Sequence, residues 1–295
     1  MNTLHIRFLR YSAFYSPLLL TMCGGHLAKE GLEATFDVVG PGRTIADGVA
    51  SGEVQVAQSA TAVSFGPWAK GETLPFRHFA VLNTHDGFFL AERRTEGGEL
   101  DWTSLEGRTV LVDHFFQPLA MFRRALQLRG VDERKVHIVD AGDVASIERA
   151  YREGRGDLVH MQGPAPQQLE HEGLGHVCAS IGEVVGPVGF SSLCASPAWL
   201  ETAQARAFVR AFRGALEQAH KAPAEEIAAL EAPYFPGANR TALVRAIEAY
   251  QRIGTWNHDG SLTVALYDRT VDVFEWSGDL TVRPPYADIV APLPV

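Results

Sequence analysis

The segment Leu4–Ser59 limits the possible folds of this chain more than any other stretch. Leu4, Ile6 and Phe8 alternate with polar neighbours, as a strand with one buried face requires. Ser16-Pro17 then opens a helix, because proline lacks only an N–H that the first turn would leave unpaired. Gly31 stands where a helix end favours a left-handed residue. Phe36, Val38 and Val39 predict a second strand, which Pro41-Gly42 breaks, and Gly52–Ser59 leads into a third. Strand, helix, strand, helix, strand builds a parallel sheet, and ligands gather beyond the carboxyl ends of such strands. Those ends are Tyr11-Ser12-Ala13-Phe14, Gly40-Pro41-Gly42-Arg43 and Ser59-Ala60-Thr61.

The same residues carry a family pattern: an aromatic loop, Tyr11 to Pro17; then Gly24-Gly25-His26-Leu27, Lys29-Glu30-Gly31-Leu32 and Gly52-Glu53-Val54-Gln55-Val56-Ala57. This order resembles the solute-binding proteins of nitrate, sulfonate and taurine transporters. It is equally similar to the thiamine-pyrimidine binding proteins and thiamine-pyrimidine synthases. The resemblance implies an α/β chain with a two-lobed, type-II periplasmic-binding fold and a ligand cleft between the lobes. It implies a substrate-binding component of an ABC-type uptake system, with a permease as partner and a small polar organic solute as ligand, of planar heterocycle, sulfonate or carboxylate type. The alternative is a cytoplasmic enzyme of the same fold, resembling the synthase, a lyase or a decarboxylase, using the same cleft. The synthases carry a clustered cysteine motif with a lysine and a histidine. Here no cysteines cluster, and Tyr11 to Ser16 holds neither Lys nor His.

Further along, Phe79–Asn83 and Gly87–Ala91 read as strands, and Arg93-Arg94 with Glu96-Gly97-Gly98-Glu99 reads as an exit from the first lobe. Leu105–Asp113 starts a new α/β series, with a helix expected over Gln117–Arg129, a strand over Val136–Val139, a helix over Asp143–Glu153 and a strand over Leu158–His160. Glu153–Val159 echoes Gly52–Ala57, as two similar lobes would. Val188–Ala195 reads as a return strand. The long helix after Ser196-Pro197 follows, with Leu200, Phe208, Phe212 and Leu216 on one face. Helices over Ala224–Leu230, Asn239–Ile253 and Val264–Trp276 complete the series, and the proline-bearing tail from Arg283 is expected to be extended. The lobes are thus expected at 1–93 plus 193–295, and at 94–192.

A net charge of −9 argues against a nucleic-acid partner, which needs a basic stripe. With 295 residues, 46% of them hydrophobic, the chain can bury a large core. Cys23, Cys178 and Cys194 sit in apolar runs without metal-ligand spacing and read as buried thiols, with a Cys178–Cys194 bridge left open by spacing alone. The apolar run near Leu18–Cys23 is too short for a membrane span. With no signal peptide visible, a cytoplasmic location is expected for the chain as it stands, or a periplasmic one if a leader has been removed.

Candidate ligand-binding residues lie at strand ends. The first lobe offers Tyr11, Ser12, Phe14, Arg43, Ser59 and Thr61, the first crossing Asp86, and the second lobe Asp113, His114, Phe115, Phe116, Gln117, His160 and Gln162. Flat rings with neutral donors and acceptors suit a planar polar solute. Phe8, Phe36 and Phe79 read as core. Arg43 either presents a guanidinium to an anion or lies in solvent. Asp113 reads as a hydrogen-bond acceptor for ligand or for the helix that follows it. In the enzyme alternative Asp113, His114 or His160 would move protons. No metal or cofactor is expected.

Overall fold

The computed structural model describes residues 2–93 and 97–295. Its strands in chain order are β1 (Asn2–Phe8), β2 (Leu32–Val38), β3 (Val56–Ser59), β4 (Arg77–Asn83), β5 (Phe88–Glu92), β6 (Thr109–Leu111), β7 (His137–Val139), β8 (Leu158–Gln162), β9 (His176–Ser180) and β10 (Ser191–Ala195). They form two five-stranded sheets, ordered β2-β1-β3-β10-β4 and β7-β6-β8-β5-β9. In each, three parallel strands come first, then one strand antiparallel to both its neighbours, β10 or β5. The two sheets repeat one plan, and the antiparallel strand of each is the first strand the chain enters after crossing from the other.

This pairing differs from the expected boundaries. β5 belongs to the second sheet, with Leu90 opposite His160, so the chain passes between sheets over 84–87 rather than at 93–94. Arg94 and Glu96, part of the expected exit, lie outside the described residues. The return runs over 181–190, so β10 takes only Ser191–Ala195 of the expected 188–195 strand, and the first lobe resumes at 191 rather than at the expected 193. An apolar run such as Phe88–Ala91 fits either sheet. Its membership is decided by partners about seventy residues later in the chain, which local pattern does not register.

Alternation in β1 buries Leu4, Ile6 and Phe8 on one face, and Phe79 is buried as well. Phe36, expected in the core, is 43% exposed, because β2 is an edge strand whose ring rests against Tyr11 and Tyr234. The Ser16–Cys23 and Ala203–Lys221 helices pack together on the first sheet. The tail is not wholly extended: Tyr286–Ile289 forms a helical turn, and the Ala291 N–H donates to the His78 carbonyl at 2.7 Å. The three cysteines are free, with Cys178 and Cys194 on different sheets.

The crossings are welded by short backbone contacts. The Phe14 carbonyl accepts from Asn83 Nδ2 at 2.7 Å and from Trp256 Nε1 at 2.9 Å, and Tyr250 Oη donates to the Gly87 carbonyl at 2.8 Å. A Cβ on Gly87 would lie 2.3 Å from the Phe14 ring, so only glycine lets the crossing approach so closely.

Candidate functional site

Between the two sheets lies a cavity of about 430 Å³, lined by Arg10, Tyr11 and Ser12 after β1, by Asp113, and by His160 to Pro164 at the end of β8. The Val144–Arg152 and Ala165–His171 helices and the Tyr234–Ala238 loop close its sides. Beside it, an inner-facing chamber of about 30 Å³ shares Arg10, Phe88 and Gln162 with it and adds Tyr15, Gln117 and the partly exposed Phe115 and Phe116. The inner chamber holds a water or two but no organic solute. A solute that reaches it must part the lobes.

The lobes meet through direct bonds. Ser12 Oγ donates to the Gly163 carbonyl at 2.7 Å and accepts the Phe14 N–H at 3.1 Å. The Ala13 N–H donates to that same carbonyl, and the Gly163 N–H donates to Tyr250 Oη at 2.8 Å. A side chain on Gly163 would strike Ala246 at 2.8 Å, which fixes glycine at this clasp. Arg10 Nη1 reaches Asp113 Oδ2 at 2.7 Å across the cleft. Phe116 stacks on Phe274 with centroids 4.6 Å apart, a second seam beside the first.

Several polar groups facing these chambers have no partner among the described residues. Gln117, in the first turn of the Phe116–Leu128 helix, is buried with both amide atoms unpaired. Gln162 donates weakly to Tyr15 Oη at 3.4 Å while its Oε1 is unpaired. His160 is fully buried, stacked on Phe88 at 4.4 Å with Phe122 tilted nearby, and neither ring nitrogen is bonded. Burial, with a smaller contribution from His114, pushes its pKa down to about 3, so the ring is neutral. Buried polar groups are normally satisfied, and each exception asks for a reason.

Of the expected residues, Tyr11, Ser12, Asp113, His160 and Gln162 line the larger cavity, and Phe115 with Gln117 lines the inner one. Others are not brought there. The Phe14 ring turns into the core against Tyr15, Phe190 and Tyr250, because the Ala13–Tyr15 helical turn redirects the chain. Arg43 stays at the surface, 4.0 Å from Asp37, on the turn that pairs it with Gly40. Asp86 is buried within the crossing, accepting the Phe88 N–H at 2.6 Å, and burial raises its pKa well above the carboxylate range. Ser59 is buried in β3 and lines neither chamber, while Thr61 is buried beside the lining residues Ala60 and Ala62. His114 bends back to the Val112 carbonyl through Nδ1 at 2.8 Å. Sequence reading left out Arg10, Tyr15, Glu148, Arg152, Gln168, Glu172 and Tyr234. Arg10 was signalled by its place beside Tyr11 at a strand end, whereas the others lie on helices and loops whose facing is set by tertiary packing.

Asp113 is engaged by Arg10 and by the Phe115 N–H, His114 by its own loop, and His160 lies between aromatic rings, so no acid–base pair is assembled from them. Burial lifts the Cys23 thiol to about 12, far from a thiolate. Among the described residues, His5, Asp37 and Glu53 form the one group with metal-type ligand atoms close together. Both carboxylates in it accept from Arg7, whose guanidinium supplies the positive charge a metal would bring. No described helix is long and apolar enough to cross a membrane.

Known proteins resemble this chain along almost all of its length. A Bacillus subtilis (strain 168) protein named "Putative binding protein YtlA" is 25% identical over 284 residues, spanning 95% of this chain and 85% of the relative. The alkanesulfonate-binding protein SsuA of Xanthomonas axonopodis pv. citri, solved bound to MOPS, superposes with a TM-score of 0.74 at 15% identity, covering 99% of each chain. The ligand-binding component of an ABC-type import system from Staphylococcus aureus, solved with zinc bound, gives a TM-score of 0.76 at 14% identity over 99% of this chain and 97% of that one. These superpositions establish the two-lobed periplasmic-binding fold expected from sequence. The family model described as NMT1/THI5 like matches residues 15–226, from the first helix through both crossings, and the chain belongs to that family.

Proposed function

We propose that this chain is a solute-binding protein that closes its lobes on a small polar organic molecule, serving as the substrate-binding component of an ABC-type uptake system. The observation that carries this reading is the set of buried, unpartnered polar atoms on Gln117, Gln162 and His160 around chambers that lie between the two sheets. A solute bonding to them would restore what burial removed, and each restored bond favours the closed form by about 1 kcal/mol. Ring walls from Phe88, Phe115 and Tyr15 favour a flat ligand. The names of the relatives point the same way: a binding protein, an import-system component and an alkanesulfonate binder. The permease is the partner such a component requires, and hinge closure is the motion this architecture allows.

The test is mass spectrometry of the purified protein, native and then denatured, to find a carried small molecule, followed by calorimetric titration of that molecule into stripped protein. Tyr11→Ala and Phe115→Ala should each weaken its binding without lowering folding stability by more than about 1 kcal/mol. Conversion of the molecule by wild-type protein over hours would overturn the reading in favour of an enzyme.

A further inference from the structure

The charges of the cleft narrow the ligand further, on the premise that the cleft binds solute. An anion is recognised by an unpaired cation or by free N–H groups at a helix start. Here Arg10 is already paired with Asp113 Oδ2 at 2.7 Å. The Phe115 N–H, which leads into the Phe116–Leu128 helix, is taken by Asp113 Oδ1 at 2.9 Å. The buried Asp113 carboxylate thus engages one donor on each oxygen, the Arg10 guanidinium and the N–H that leads into the helix, and puts a negative charge where an incoming anion would approach them. At the other side of the cavity Arg152 donates to Glu148 at 2.8 Å and also contacts Glu172. Three carboxylates face two cations, and neither cation is free. What is left unpartnered is electroneutral: the Gln117 amide, Gln162 Oε1 and the neutral His160 ring. The outer wall adds the Tyr11 and Tyr234 rings, which attract a cation and not an anion.

We propose that Asp113 is a built-in anion that sets charge selectivity: by occupying Arg10 and the Phe115 N–H and placing its own charge beside the helix start, it makes the cleft accept uncharged or cationic solutes and refuse sulfonate, nitrate and carboxylate. Deleting the carboxylate would uncover an anion site already furnished with a guanidinium and an N–H.

Methanesulfonate is the probe, titrated at low salt into wild-type protein, Asp113→Ala and Asp113→Asn, with folding of each verified by circular dichroism. Asp113→Ala should gain at least about tenfold in affinity over wild type, the worth of one charge-assisted contact. Asp113→Asn, which keeps shape but not charge, should gain less, and it decides the matter if the alanine variant fails to fold. Wild-type protein that binds methanesulfonate as well as the variants, or variants that gain nothing, overturns the proposal. The native solute separates this inference from the functional reading. An anion carried by wild-type protein sinks charge selectivity while leaving solute binding intact, and an uncharged or cationic one supports both. A wild-type protein that carries and binds no solute fails the functional reading alone, because the methanesulfonate comparison still decides the role of Asp113.

Discussion

Two buried polar sites in this molecule behave in opposite ways. In the first sheet Arg7, 1% exposed, donates from Nε and Nη2 to the two oxygens of Asp37, both at 2.8 Å, from Nη1 to the Thr44 carbonyl and from Nη2 to Glu53. Its seat is cut to shape: a Cβ on Gly48 would lie 2.4 Å from Nη1. In the cleft Gln117, Gln162 and His160 are buried too, yet have atoms that bond to nothing among the described residues. A satisfied buried charge holds the fold together and has nothing left to offer a ligand. An unsatisfied neutral group weakens the ligand-free protein and is available for binding. The difference separates scaffold from site without reference to any bound molecule.

Three measurements can break this contrast. The largest effect is expected at Arg7: Arg7→Ala leaves Asp37 without its fork and opens a cavity, so urea unfolding should show a loss of about 3 kcal/mol, with solute affinity of the folded fraction unchanged. Asp37 retains some solvent contact, which keeps the loss at the low end for a broken buried pair. Gln117→Leu should move the other way. It removes two unpaired atoms, so the ligand-free protein should gain up to about 1 kcal/mol while solute affinity falls more than tenfold. A variant that loses stability would mean that Gln117 is satisfied and belongs with Arg7.

The smallest effect is a pH dependence that sets His160 against His78. Burial pushes each down to about 3, although His78 bonds Ser64 and Ser192 through its two nitrogens while His160 bonds neither. Below the ordinary histidine range the unfolded chain takes up protons that the folded one refuses. Stability is therefore complete above pH 6.5 and falls as pH drops towards 3. Each imidazole should cost about 1 kcal/mol over the first unit below 6.5. His160→Gln should flatten its share of that limb at little cost at pH 7, whereas His78→Gln should flatten its share and destabilise at pH 7 as well. Equal losses at pH 7 would erase the distinction between the two rings.

Much of the fold was legible because β1 to β3 are local: Leu4, Ile6 and Phe8 alternate, and proline and glycine mark the helix ends. The passage between sheets was harder to place, since β5 is assigned by β8 and β9 and not by its own residues. At the site, Tyr11 and Asp113, close after their strands, and Gln162, the last residue of β8, line the cavity between the sheets. Phe14 lies in the core instead, because a single helical turn reverses its ring, and the pairing of Arg10 with Asp113 spans 103 residues, which local pattern does not register. Strand ends can be counted along a sequence, but ion pairs across a cleft cannot.

The position of β10 has a consequence for how the chain assembles. Every strand of the second sheet is present once residue 180 has been made, whereas in the first sheet β10 separates β3 from β4 and stays missing until residues 191–195 emerge. The inserted lobe can therefore complete itself during synthesis while the enclosing one waits with two unpaired strand edges, the kind of surface on which chains aggregate. In ribosome-bound nascent chains halted after residue 180 has left the exit tunnel, β5 and β8 should already be protected from amide exchange while β3 and β4 are not. Protection of β3 and β4 at that length would show that the first lobe closes without waiting for its fourth strand.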